Sequence, residues 1–554
     1  MKKLITTLLI LLSFMVGFGS NWVTLKSGTQ QPANIQLVSS NIQTSTIHFS
    51  LQGFEMVPVS TPKGTSYVIG VGGSTPMLIG GAPDLAKLTA SVIIPDREKM
   101  NVEVVYSNYK DFTNVEVAPS KGNLYRNIDP ANVPFNYGKV YNENKFFPEN
   151  IVELRNPYVI RDYRGQTVVV YPFQYNAVTK TLRVYSDIEV KVYSTGEKGI
   201  NPLDRKGNLT KVNSEFNKIY NRQFLNAGSL KYTPLDEQGK MLIISYGQFM
   251  SAMQPLVDWK NQEGISTEIV NVSTIGSTAA AIKNYITNYY NTNDLAFVLL
   301  VGDAPQIPTN TGGNLGGPSD NAYGYIVGND HYPDLFVGRF SAENVQQVET
   351  QVAKVINYEK NPVTTSNWFS TGIGIGSDQG PGDDNEYDYQ HIRNIRTKLM
   401  GYNYTAVSEL YDGSQGGLDA PGSPTPAMVT TNVNAGASII NYTGHGSQTS
   451  WGTTGFSNSN VTALANDNML PFIWSVACVN GDFVSGTCFA EAWLRATHNG
   501  QPSGALATLM STINQSWNPP MEGSDEFNDI LTETYTNNIK RTFGGISMNG
   551  CMKN

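Results

Sequence analysis

The hydrophobic pattern of this chain changes period near Tyr232, and no single sheet or bundle can serve both halves. Before that point apolar and polar residues alternate in short runs, among them Met100 to Tyr106, Gln166 to Tyr171 and Ile188 to Tyr193. Successive side chains of a strand face opposite sides of a sheet, so the alternation predicts half-buried strands. Turn clusters such as Pro62-Lys63-Gly64 and Lys121-Gly122-Asn123 divide the runs. Helical spacing is nearly absent, and residues 21–231 are expected to form an all-β, sandwich- or barrel-like domain.

Beyond Tyr232 the apolar runs become continuous and alternate with helical patterns. Lys240 to Ser245 and Ala296 to Val301 read as buried strands, and Phe249 to Glu263 and Ala279 to Tyr290 as helices. A second round follows: strand Gly372 to Ile375, helix Gln390 to Met400, strand Ala437 to Tyr442, helix Val461 to Ala465 and strand Phe472 to Val476. Strands covered on both faces lose their alternation, so this order predicts α/β architecture with mostly parallel sheets. The expected division is two subdomains, 232–365 and 366–554.

Composition narrows the function. With 40% hydrophobic and 15% charged residues, the 554-residue chain is globular, and a net charge of -8 gives no reason to expect nucleic acid or an anionic membrane as partner. Met1-Lys2-Lys3, the apolar stretch Leu4 to Val16 and the small residues Gly17, Gly19 and Ser20 read as a signal peptide over 1–20. No other segment has the length of a transmembrane helix. Export to an oxidising compartment with only Cys478, Cys488 and Cys551 argues against a disulfide framework and leaves room for a reactive thiol. A Cys478–Cys488 disulfide is the structural alternative.

Cys478 and His445 carry the chemical hypothesis. Each follows a short apolar run, Cys478 in Trp474-Ser475-Val476-Ala477-Cys478-Val479-Asn480-Gly481-Asp482 and His445 in Asn441-Tyr442-Thr443-Gly444-His445-Gly446. In a parallel sheet both strand ends open on the same edge, where reactive groups collect. An imidazole that takes the thiol proton makes the thiolate a nucleophile toward a carbonyl. The pair needs an orienting acceptor, and Asp378 ends the run Thr371 to Ser377 at a suitable strand terminus. The bland reading is a small core cysteine and a tight glycine turn.

The stretches Asn441 to Gly452, Leu470 to Asp482, Ser511 to Met521 and Asn537 to Gly545 resemble the gingipains, caspase-like clan-CD cysteine endopeptidases, and the last matches their arginine-cleaving branch. The likeness covers most of the chain from Tyr232 onward and more weakly the segment before it. It implies an α/β caspase-like catalytic domain behind an all-β prodomain, and a secreted or surface-exposed enzyme that acts on proteins and peptides after arginine. It supports Asp378 and assigns the oxyanion donors to the backbone N–H groups of Gly446 and Cys478. It maps the pocket floor onto Asp388 and the walls onto Trp517 and Met521; a carboxylate floor suits the guanidinium fork. It implies structural calcium on Asp303, Val327, Asp330, Tyr332, Asp334, Glu386 and His391, with Val327 and Tyr332 acting through backbone oxygen. It also implies that the prodomain inhibits its own enzyme, with Arg126 plugging the pocket and the activating cut after Lys231. Family members continue past the point where this chain stops, so a truncated catalytic domain is expected. A non-catalytic adhesin of the same fold and a lysine-preferring peptidase are the rival readings.

Overall fold

The computed structural model describes residues 21–552 apart from 27, 206–211, 230–238, 313–315, 365 and 537–538. The segment 1–20 and Lys231 lie outside the described residues.

Two antiparallel sheets build most of the prodomain. In one, Thr181–Lys198 pairs with Glu98–Phe112 on one side and Thr44–Ser50 on the other. In the other, Tyr163–Val170 pairs with Ala86–Ile93. The expected alternation is explicit: Ile188, Val190 and Val192 are buried while Glu189 and Lys191 are not. The inward residues meet Ile47, Phe49, Val92 and Val168 in one core, so the sheets form a sandwich. One element departs from the all-β expectation. Ser214–Gln223 is a helix, capped by Asn213, whose side-chain oxygen accepts the N–H groups of Glu215 and Phe216. It buries Phe216, Ile219 and Tyr220 on one face, a pattern too short to stand out in a β-rich segment.

The catalytic region holds two all-parallel sheets. The first runs Thr267–Asn271, Lys240–Ser245, Leu295–Val301 and Phe336–Phe340 in spatial order. The second runs Ala406–Tyr411, Thr371–Gly376, Ile439–Thr443, Phe472–Val476 and Ala507–Met510. Four of these strands (Thr267–Asn271, Phe336–Phe340, Ala406–Tyr411 and Ala507–Met510) went unrecognised in the sequence. All four are peripheral and less uniformly apolar, as edge strands are.

The glycine stripe Gly372, Gly374 and Gly376 explains how the site is placed. A methyl group on Gly374 would lie 2.5 Å from Ile392 Cγ2, and one on Gly376 would lie 2.6 Å from the Tyr389 Cα. Only glycine lets the helix Asp388–Gly401 approach this strand so closely, and the approach brings the helix's first residue to the strand end. Buried polar contacts join the subdomains. Arg495 meets Glu491 at 2.7 Å and Asp303 at 3.2 Å, and the Lys354 ammonium donates to the carbonyls of Trp493 and Ala505.

Candidate active site

Thr443 and Val476 are register partners on adjacent parallel strands. His445 and Cys478 each stand two residues past this pair, so one sheet edge presents both. The close fit of their loops depends on Gly446, where a methyl group would sit 2.7 Å from the Cys478 carbonyl oxygen. Asn480 ties the loops together: its Nδ2 donates to Ser447 O at 2.6 Å and Ser450 O at 3.0 Å, and its Oδ1 accepts from Ser475 at 3.1 Å. The next residue after the cysteine, Val479, has φ 49°. A β-branched residue there is strained, and the strain sits beside the proposed nucleophile. All three cysteines are free, so the alternative Cys478–Cys488 disulfide does not form.

Asp378 does not orient the imidazole. The partner of His445 Nε2 is Gln379 Oε1, at 2.6 Å. The oxygen carries no proton, so Nε2–H donates and Nδ1 keeps its lone pair. Past the strand end at Gly376, Ser377 faces inward toward Asp388 and the chain bends at Asp378. The bend leaves Asp378 exposed and turns the half-buried Gln379 toward the ring. An amide holds the ring in place without supplying the negative charge that would stabilise an imidazolium. Burial, and next the Arg126 guanidinium, hold His445 below its ordinary pKa.

Asp388 is fully buried, and so is the side chain it binds. Arg126 Nη2 donates to Oδ1 at 2.8 Å and Nη1 to Oδ2 at 3.0 Å, a two-pronged ion pair between prodomain and catalytic domain. Ser377 Oγ adds a third donor at 2.6 Å. The Arg126 guanidinium lies 4.3 Å from the Trp517 ring centroid, and Met521 backs Trp517 in the same cluster. The main chain pairs as well: Arg126 N–H donates to Gln515 O at 2.8 Å and Trp517 N–H to Leu124 O at 3.0 Å. Tyr125 and Ser516 form an antiparallel bridge. The prodomain segment thus lies in the cleft, paired with 515–517 through main-chain bonds on both sides of one bridge.

The seven expected calcium ligands fall in three places. Asp303 pairs with Arg495. Asp330 and Asp334 accept prodomain N–H groups, from Val159 at 2.8 Å and Arg161 at 2.6 Å, and Asp334 also takes those of Ile326 and Val327. Tyr332 stacks on prodomain Tyr158 with ring centroids 4.0 Å apart. Glu386, just before the helix Asp388–Gly401, and His391, within it, lie apart from the others, His391 Nδ1 standing 3.4 Å from Glu386 and 3.3 Å from Asp525. Beside them Asp383, Asp384 and Asp525 bring carboxylate oxygens within 4.8 Å of one another. Asp383 Oδ2 is buried without a partner, and burial together with nearby Glu522 pushes the Asp383 carboxyl up to about 9. This trio and Asn480 were missed in the sequence, whereas Gln379 competes with Asp378 for the same place in the resemblance and was passed over for the carboxylate. Acidic residues in a glycine-rich loop carry no spacing signal.

An α/β domain with two parallel sheets, a thiol and an imidazole at neighbouring strand ends, and a β-sandwich prodomain inserted into the cleft define a caspase-like cysteine peptidase with its propeptide. Residues 234–554 match Peptidase family C25 and residues 26–224 match its propeptide family. The chain belongs to peptidase family C25. Gingipain R1 of Porphyromonas gingivalis is 44% identical over 527 residues, an alignment taking in 93% of this chain and 52% of that protein. The chain therefore spans about half the length of this relative. The crystal structure of the Arg-specific cysteine proteinase gingipain R is similar with a TM-score of 0.54 and 45% identity, over 58% of this chain and 73% of that one. The complex of Porphyromonas gingivalis RgpB pro- and mature domains has a TM-score of 0.53 at 45% identity, over 56% of this chain and 73% of that one.

Proposed function

We propose that this chain is the latent form of an exported cysteine endopeptidase that cleaves after arginine, with Cys478 as nucleophile and His445 as its base. The observation that carries the reading is the buried Arg126–Asp388 pair: the prodomain offers the cleft an arginine held as a substrate side chain would be. Gln379 takes the Nε2–H, which leaves on Nδ1 the lone pair that receives the thiol proton in this reading. The thiolate then attacks the substrate carbonyl, the N–H groups of Gly446 and Cys478 receive the oxyanion, and the imidazolium protonates the leaving amine. Two parallel N–H···O bonds to Asp388 favour arginine over lysine, whose ammonium has no planar fork. Release of coumarin from peptides ending in Arg, Lys or Asp, after the linker at Lys231 has been cut, tests this. Cleavage after Arg well above Lys and Asp is expected, with loss in Cys478→Ala. No hydrolysis of any peptide would leave the adhesin reading standing.

Calcium belongs to the same proposal. Asp383, Asp384 and Asp525, with the orphaned Asp383 oxygen and Glu386 nearby, offer the hard oxygen donors such an ion takes. The ion would neutralise repelling carboxylates and stiffen the loop leading to Asp388. A rise in melting temperature with calcium, abolished in Asp383→Asn, is the expected readout.

A further inference from the structure

We infer that the cleft has a second side-chain subsite, selective for an apolar residue two positions before the arginine and indifferent to the residue between them. The inference rests on the reading that Leu124 to Arg126 occupies the path of a substrate. Along this segment burial alternates: Leu124 is half-buried, Tyr125 is 41% exposed and Arg126 is 0% exposed. On either side of the single bridge at Tyr125, Leu124 and Arg126 both face the enzyme, one against an apolar cluster and the other on Asp388, while Tyr125 faces out. Leu124 packs against the cluster of Val476, Trp517 and Met521, which are 4%, 1% and 0% exposed. Trp517 therefore serves two positions, its ring facing the guanidinium while the cluster it forms receives Leu124. The register is fixed by the backbone bonds from Arg126 N–H to Gln515 O and from Trp517 N–H to Leu124 O. Those bonds involve main chain alone, and any peptide that seats an arginine on Asp388 can repeat them. The residue two positions before that arginine then lies on an apolar floor, where a charge would be desolvated without a partner.

Two measurements decide the matter. After the linker has been cut, peptides Xaa-Tyr-Arg-coumarin and Leu-Xaa-Arg-coumarin are compared. Replacing the first Leu by Asp should lower kcat/KM about five- to tenfold or more, roughly what half-burying an isobutyl group supplies. Varying the middle residue should change it less than about twofold. A flat first series, or a middle series as steep as the first, overturns the inference while leaving arginine specificity intact. The second measurement does not depend on hydrolysis. In the uncut chain, Leu124→Asp should speed iodoacetamide labelling of Cys478, read by peptide mass spectrometry, about five- to tenfold, and Tyr125→Asp should leave it unchanged. Equal rates in the two variants overturn the subsite even if no arginine peptide is ever cleaved.

Discussion

Arg126→Ala in the uncut chain is the sharpest perturbation of latency. Both ends of the Arg126–Asp388 pair are fully buried, and both guanidinium bonds are charge-assisted, at 2.8 and 3.0 Å. Losing one partner of such a pair costs about 2–5 kcal/mol. The lower part of that range applies, because Ser377 keeps its hydrogen bond to Asp388 and water can enter the emptied pocket. About 2–3 kcal/mol is roughly a 30- to 150-fold shift toward the open cleft at about 1.4 kcal/mol per decade. The prodomain itself should stay attached, since Tyr158 on Tyr332 and Arg222 on Glu526 are untouched. The assay is the rate of Cys478 alkylation, with Lys231→Ala added to keep the linker whole and exposed Cys551 as internal reference. Arg126→Lys, which keeps the charge and loses the fork, should fall between wild type and Ala. If Cys478 in Arg126→Ala labels at the wild-type rate relative to Cys551, backbone pairing alone closes the cleft and the buried pair is not the plug.

Other outcomes follow from the same geometry. Asp388→Asn should reduce kcat/KM for arginine peptides at least about thirtyfold, by the same pair energetics, while barely changing alkylation of Cys478 by a small reagent in the cut enzyme. Gln379→Glu should return a negative charge to the imidazole, raise the His445 pKa and move the onset of Cys478 alkylation to lower pH. Docked Arg126 depresses the His445 pKa, so its docking is strongest above the undocked value and weakens as pH falls through the histidine range. An NMR titration should therefore show His445 titrating higher in Arg126→Ala than in the parent uncut chain; an unchanged midpoint would remove the electrostatic link.

Cys478 and His445 were legible because each ends a buried strand, and the expected strand Phe472 to Val476 is the observed one. The subdomain order and the β-rich prodomain follow from hydrophobic period, which burial on one or both faces imposes directly. The imidazole partner was displaced by one residue, from Asp378 to Gln379. Chemical expectation favoured a carboxylate, whereas the bend at Asp378, past the strand end, decides which side chain faces the ring. The calcium set rests on the resemblance alone. Sequence shows oxygens, but not that the N–H groups of Val159 and Arg161, far away along the chain, bond to those of Asp330 and Asp334. Arg126 could be placed only by resemblance, because nothing in an isolated loop says that its arginine is buried.

The prodomain helix Ser214–Gln223 has a consequence for how the protein is made. Its Phe216, Ile219 and Tyr220 share one apolar cluster with Tyr332 and Phe336 of the first catalytic subdomain and with Met548 and Met552 at the end of the second. Lys540, 2% exposed, reaches Glu215 on the same helix at 2.7 Å. Three parts of the chain far apart in sequence thus complete a single interior, so the region beyond Tyr232 shares part of its core with the segment before it. The uncut chain should melt as one cooperative unit. A chain cut at the linker and freed of that segment should melt earlier, with an oily scar where the helix had lain.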